Sequence, residues 1–202
     1  MLHSETVTKE LLELLKIIMS DSLFNDFNLV GGTALSLQIG HRNSIDIDLF
    51  GVCSIDEEKF ISKIEKLGTF EIFKRSKNII ISSINGVKTD FVNYKYPLLE
   101  KPYVIEGIRF VSKKDIAAMK LNAVMGRGSK KDFIDLYFLN QEFSLKEMIS
   151  FYEKKYHDGS VFMLLKSLLY FDDADKQILP KMFQDFDWET CKQKIIDEVL
   201  KL

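Results

Sequence analysis

Cysteine is nearly absent. Only Cys53 and Cys191 occur in 202 residues, far apart and in no CxxC or Cys/His cluster, which excludes a disulfide framework and a structural zinc site. Glycine (10) and proline (3) are scarce as well, together roughly half the usual ~12%. Collagen-like and low-complexity classes are therefore excluded, and long regular elements with few tight turns are expected. No run approaches ~18 apolar residues, so no membrane-spanning segment is expected. The start, Met1 to Lys9, is polar and mixed in charge, without a signal-peptide pattern; the expectation is a cytoplasmic protein. Neither sign of charge dominates: 28 Lys+Arg stand against 30 Asp+Glu, net −2. A dominant non-specific grip on nucleic acid is not expected, although a local basic patch could hold an RNA end.

What is present suffices for a core. Hydrophobic residues make up 46% of the chain, and a chain of this length buries roughly 70% of its unfolded surface. Leu11, Leu12, Leu15, Ile18 and Met19 fall at helical spacing. Phe27 to Val30 is a short strand-like run that stops at Gly31-Gly32, and Thr33 to Ile39 reads as helix. Ser44 to Phe50 alternates, placing Ile45, Ile47 and Leu49 on one face and Asp46 and Asp48 on the other. Residues 56–67 read as a helix closed by Gly68. Strand-like segments follow at 69–75, 78–84 and 87–94, with Asn85-Gly86 as a two-residue hairpin turn. A further strand or hairpin lies around Glu106-Gly107.

Beyond residue 111 the texture turns helical. Ser112-Lys113-Lys114-Asp115, Ser129-Lys130-Lys131-Asp132 and Ser144-Leu145-Lys146-Glu147 each match the capping-box pattern. The expected organisation is α+β: a mixed-sheet core over 1–111, then a helical domain over 112–202 packed on it.

Chemistry concentrates in Gly31 to Phe50, GGTALSLQIGHRNSIDIDLF. Glycines let backbone approach a phosphate closely, and the free N–H groups of a helix start favour an anion. Alternate strand residues point the same way, about 6–7 Å apart, so Asp46 and Asp48 can share a hard divalent cation such as Mg²⁺. Taken singly, Gly-Gly reads as a turn and Asp-x-Asp as a solvated strand face. Together they gain weight, because aspartate is a poor strand residue and two on one face repel unless a cation lies between them. Asp90, in VKTDFVNY, is a third carboxylate if its strand lies beside Ser44–Phe50. Three carboxylates can hold two Mg²⁺ ions about 3.5–4 Å apart, a clamp for phosphoryl displacement.

Glycine pair, intervening arginine, Asp-x-Asp and later aspartate resemble the nucleotidyltransferase superfamily with the polymerase-β-like fold. Lys120-x-x-Ala123-x-x-x-Arg127-x-x-x-Lys131-Asp132-x-x-Asp135 resembles the C-terminal motif of the AbiEii/AbiGii-type nucleotidyltransferase toxins, with Lys131 where that family often has arginine. The resemblance runs from about Asn28 to at least Tyr170. It implies transfer of a nucleotide from an NTP to an acceptor with Mg²⁺. Gly32 and Thr33, with Gly31 beside them, would cradle the phosphates, and Arg42 would contact the triphosphate. Asp46, Asp48 and Asp90 would bind metal, and Asp90 would help activate the acceptor hydroxyl. Lys120 would neutralise departing pyrophosphate, and Asp135 would orient that lysine or assist proton removal.

From the residues themselves, Asp132 reads as a cap or first-turn charge. Arg127 with Lys130 and Lys131 forms a small basic cluster, either a solvated face or an acceptor-phosphate contact through Arg127 and Lys131. His41 reads as packing or capping, and Phe133, Tyr137, Phe138 and Phe162 as core. FDDAD (171–175) reads as turn and cap residues.

The expected function is Mg²⁺-dependent nucleotide transfer to an RNA 3′ end, with tRNA the leading acceptor. The expected setting is a toxin of a toxin–antitoxin or phage-defence system, with a cognate antitoxin as partner. The alternatives are protein nucleotidylation, small-molecule nucleotidylation, and a nucleotide-binding member without turnover. A glycosyltransferase fits the Asp pair alone, without need of the glycines or the third aspartate.

Overall fold

The structure, a computed structural model, describes residues 1–202. It contains two compact units: Met1–Lys95 with Pro102–Val111, and Tyr96–Lys101 with Ser112–Leu202.

In chain order the first unit holds α1 (Lys9–Ser20), β1 (Phe27–Leu29), α2 (Gly31–Ile39), β2 (Ile47–Gly51), α3 (Glu57–Ile64), β3 (Phe70–Ser76), β4 (Ile79–Ile84), β5 (Val87–Asn93), β6 (Tyr103–Ile105) and β7 (Ile108–Phe110). The strands form one mixed sheet of seven, ordered β3-β4-β5-β2-β1-β7-β6. β2 runs parallel to β5 and β1 parallel to β7, while the remaining pairs are antiparallel. Both hairpin turns expected from sequence are present. Asn85 and Gly86 have φ of 51° and 80°, and Glu106 and Gly107 have 50° and 81°, the left-handed pair that a two-residue hairpin requires.

One face of the sheet is sealed by aromatic packing. Phe91 of β5 stacks on Phe24 at 5.0 Å and meets Phe27 and Phe60 edge-on at 5.6 Å, contacts that each add about 0.5–1.5 kcal/mol beyond area burial. Ile47, Leu49, Thr89 and Phe91 are all fully buried. A one-residue slip would turn these side chains to the other face, so their burial pins the register. The same pinning fixes which residues face away from them, namely Asp48 and Asp90. The Arg109 guanidinium supports this arrangement from β7 by donating to the carbonyls of Met19, Phe24 and Phe27 at 2.8–2.9 Å.

The alternation expected over Ser44–Phe50 holds only from Ile47. Ile45 is 52% exposed, and the strand starts two residues later. The reason is local: the Thr33 hydroxyl binds the Ser44 hydroxyl and the Asp46 carbonyl, drawing 44–46 onto α2 instead of into the sheet ladder.

The second unit consists of α4 (Lys113–Gly126), α5 (Lys130–Leu139), α6 (Leu145–Lys155), α7 (Val161–Leu168), α8 (Asp172–Asp175) and α9 (Trp188–Leu200). α4 packs against α5, α6 and α7. It is buried along most of its length, and its buried residues include two charged ones, Asp115 and Lys120. Asp115 accepts from Lys155 Nζ at 2.7 Å and from the Leu99 N–H at 2.9 Å, and Lys155 also donates to the Pro97 carbonyl at 2.7 Å. This buried ion pair ties residues 96–101 to the helical unit. Phe162 departs from the expected core: it is 66% exposed, with Lys166 Nζ 4.8 Å over its ring.

Candidate active site

Two strands and one helix start compose the site in the first unit. In the parallel pairing of β2 with β5, Asp48 lies opposite Asp90. Asp46 lies just before β2, outside the ladder. Lys88 and Asp90 are two residues apart on β5 and so share a face, and Lys88 Nζ sits 2.7 Å from Asp90 Oδ2. The other oxygen, Asp90 Oδ1, is buried without a hydrogen-bond partner. Burial alone would pull the Lys88 ammonium down in pKa. The hydrogen bond and charge of Asp90, with the charges of Asp48 and Asp46, carry it above the ordinary lysine value instead.

The expected close trio of carboxylates is not gathered. No three Asp, Glu, His or Cys side chains stand near enough to hold one ion between them. Asp48 and Asp90 are brought together, Asp46 sits ahead of the strand, and Lys88 is ion-paired with Asp90. Like charges on one strand face repel, and a lysine among them relieves that repulsion.

The start of α2 meets these acids. Val30 is its N-cap and offers no side-chain hydrogen bond, so the N–H groups of Gly31, Gly32 and Thr33 have no acceptor earlier in the helix. Gly31 has φ +70°, and a Cβ there would lie 2.5 Å from Asp48 Oδ2. A Cβ on Gly32 would lie 2.4 Å from Arg42 Nη2. Both glycines thus stand in close approach, one to a carboxylate and the other to a guanidinium. Arg42 is buried, with Nη1 donating to the Asn43 carbonyl at 2.8 Å. Thr33 differs from expectation, because its hydroxyl is committed to Ser44 and Asp46. Only its backbone N–H remains for a phosphate.

These residues fit a hard divalent cation. The donors are carboxylate oxygens, as such ions prefer. The buried Asp90 Oδ1 lacks a partner, and the missing Cβ of Gly31 leaves room at the Asp48 carboxylate.

A second charged centre lies inside the helical unit. Lys120 of α4 is buried, with Nζ 2.6 Å from Asp135 Oδ2 and 3.0 Å from Asp132 Oδ1. Asp132 also receives both Arg127 Nε at 2.8 Å and Nη2 at 3.0 Å, and the Ser129 hydroxyl at 2.6 Å. Asp132 stands in the first turn of α5, as the sequence suggests, and is besides fully buried and central to the network. Burial alone would raise its pKa, but the Lys120 charge, Arg127 and Ser129 outweigh that and hold it well below the carboxylate range. The Ser-x-x-Asp spacing at 129–132 carried this signal, although it matched a capping box. Lys88 is a further residue that spacing could single out, since Lys-x-Asp on a strand places both side chains on one face.

The basic cluster at the α4–α5 turn is smaller than the sequence suggests. Lys130 is buried, with its ammonium 5.0 Å over the Trp188 ring and 3.4 Å from the Asp175 carbonyl. Lys131 is half-buried. Arg127 borders a groove of about 330 Å³ that is also lined by Met125, Lys166, Tyr170 and Asp173. His41 is buried, as expected of a packing residue. In FDDAD, Asp175 accepts from Trp188 Nε1 at 2.6 Å and from Lys192 at 3.1 Å.

Residues 13–106 match the family described as nucleotidyl transferase AbiEii toxin, type IV toxin–antitoxin system. A curated relative, Uncharacterized protein aq_aa25 of Aquifex aeolicus (strain VF5), is 39% identical over 196 residues, 92% of either chain. Among solved structures, JHP933 from Helicobacter pylori is 17% identical with a TM-score of 0.59, over 96% of this chain and 92% of its own. MenT4, a nucleotidyltransferase toxin of Mycobacterium tuberculosis, is 14% identical with a TM-score of 0.60, over 94% and 81%. ANT(2'')-Ia, solved in complex with adenylyl-2''-tobramycin, is 16% identical with a TM-score of 0.52, over 72% and 95%. At these identities the likeness to solved structures is one of fold: a mixed sheet followed by helices.

Proposed function

Because this chain belongs to the AbiEii nucleotidyltransferase toxin family, we propose that it transfers a nucleoside monophosphate from an NTP to an RNA 3′ end, with tRNA as acceptor and Mg²⁺ as the required ion. The observation that carries this reading is the placement of Asp48 opposite Asp90, with Asp48 against Gly31 at the start of α2. Carboxylates for metal and N–H groups for phosphate thereby adjoin.

Asp48 and Asp90 would hold the metal, one ion or two, together with phosphate oxygens of the nucleotide. When bound, the ion supplies positive charge to the reacting phosphate and the attacking oxygen. The N–H groups of Gly31, Gly32 and Thr33 and the Arg42 guanidinium bind and orient the triphosphate. Asp90 Oδ1, which no group of the chain engages, accepts the proton of the acceptor hydroxyl. In the helical unit, Lys120 is the buried cation around which the second charged centre is built. Asp135, 2.6 Å from Lys120 Nζ, orients it together with Asp132 at 3.0 Å. Arg127 and Lys131 contact acceptor phosphates. A cytoplasmic toxin of a defence system, restrained by a cognate antitoxin, completes the reading.

Incubating the protein with α-labelled NTPs, Mg²⁺ and total RNA tests it. Label in tRNA supports the proposal. Label in protein transfers the acceptor role to a side-chain hydroxyl, and label in a small molecule points to an acceptor of that class. No label anywhere, with Mg²⁺ present and all four NTPs tried, overturns it.

A further inference from the structure

We infer that Lys88 is an internal counter-cation that holds the place of a divalent ion beside Asp48 and Asp90 and must withdraw for the ion to enter, so that it weakens metal uptake by the nucleotide-free protein. The inference rests on the reading of these acids as a metal site.

Geometry provides the first support. Lys88 Nζ is 2.7 Å from Asp90 Oδ2. The β2–β5 register sets Asp48 opposite Asp90, and Lys88, two residues before Asp90 on β5, shares that face. Its ammonium thus lies on the face that carries both Asp48 and Asp90. It serves them unequally, since it bonds one Asp90 oxygen while the other stays without a partner. A divalent ion brings twice the charge and several coordination positions.

Exposure provides the second support. The Lys88 side chain is 47% exposed, whereas those of Lys120 and Lys155 are 6% and 0% exposed. Those two lysines are built into buried networks. Lys88 can swing its flexible four-carbon stem into water and keep its charge solvated. With Lys88 in place the carboxylate face folds without metal. With the ion bound, Lys88 becomes redundant there and repels it.

Direct metal binding tests this on the full chain, stripped of metal and free of nucleotide. Free Mn²⁺ is followed by electron paramagnetic resonance, and Tm is measured with and without Mn²⁺. Lys88→Met is expected to bind Mn²⁺ at least about tenfold more tightly than wild type, because a unit charge within a few ångströms of the ion is removed. Without Mn²⁺ the variant should melt below wild type, and Mn²⁺ should raise its Tm by more. Lys88→Arg should bind as wild type does. Lys88→Gln repeats the test should the methionine variant fail to fold. Unchanged or weaker Mn²⁺ binding by the neutral variants, with Asp48→Asn abolishing binding, overturns the role of Lys88 alone. If Asp48→Asn binds Mn²⁺ as wild type does, the metal-site reading itself fails and the inference falls with it.

Discussion

Asp48 and Asp90 stand opposite each other across the parallel pairing of β2 and β5, on the face turned away from the buried Leu49 and Phe91. Core packing thus fixes the position of the acids, and the site inherits the rigidity of the sheet. Asp48→Asn should reduce nucleotide transfer by about a thousandfold or more, since a metal contributes several kcal/mol of transition-state stabilisation and each ~1.4 kcal/mol is tenfold in rate. The fold should survive, with Tm in chelator unchanged or slightly raised as like-charge repulsion is relieved. Transfer assays paired with thermal melting check both halves. Transfer at wild-type rate would remove Asp48 from the site.

The two glycines should separate by substitution. Alanine at Gly31 faces both a left-handed backbone at φ +70° and a carboxylate oxygen 2.5 Å from its Cβ. The backbone strain alone is about 1–3 kcal/mol, so Gly31→Ala should lower Tm and also displace Asp48. At Gly32 the backbone is ordinary and the obstacle is Arg42 Nη2 at 2.4 Å, the far end of a long side chain. Gly32→Ala should therefore cost less stability while weakening nucleotide binding, read by calorimetric titration with a non-hydrolysable NTP. Equal loss of Tm in both variants would contradict this division.

Much of this site was legible because its signals are local. Strand alternation put Asp48 on one face and Leu49 on the other, Asn85-Gly86 fixed the hairpin into β5, and Gly-Gly marked the start of α2. Lys88 was missed because its meaning depends on a neighbouring strand: only the β2–β5 register places a cation beside those particular carboxylates. The burial of Asp132 is hidden from the sequence for a similar reason. Ser112, Ser129 and Ser144 head the same Ser-x-x-acid pattern, yet only Ser144 with Glu147 forms the full capping box. Ser129 gives its hydroxyl to Asp132, and Asp115, which Ser112 also contacts, takes Lys155. Burial by other helices decides among the three, and spacing along one helix does not contain it.

Asp132 should rank among the most sensitive positions of the helical unit. Asp132→Ala leaves Lys120 buried with Asp135 and removes the anchor of Arg127. Breaking a buried pair by deleting one partner costs about 3–5 kcal/mol, a drop of roughly ten degrees or more in Tm for a chain of this size. Arg127→Ala should cost about 1 kcal/mol or less, because the arginine side chain is 69% exposed and exposed ion pairs contribute little. Thermal or urea unfolding of the two variants checks the contrast. Comparable losses would mean that the guanidinium, and not the buried lysine, is the principal partner of Asp132.

The same network sets a pH window. Burial would by itself raise the Asp132 pKa, but Lys120, Arg127 and Ser129 hold it well below the carboxylate range in the folded chain, while the unfolded value is about 3.9. A carboxylate depressed on folding adds stability that is fully present above its unfolded pKa and is lost as pH falls toward and through the folded one. The Tm difference between wild type and Asp132→Asn should therefore be constant from about pH 8 to about pH 5 and shrink only below about pH 4. Melting curves across that range read it directly. A gap that closes already between pH 8 and pH 6 would mean that a group titrating near neutrality, and not ionised Asp132, holds Lys120 and Arg127 in place.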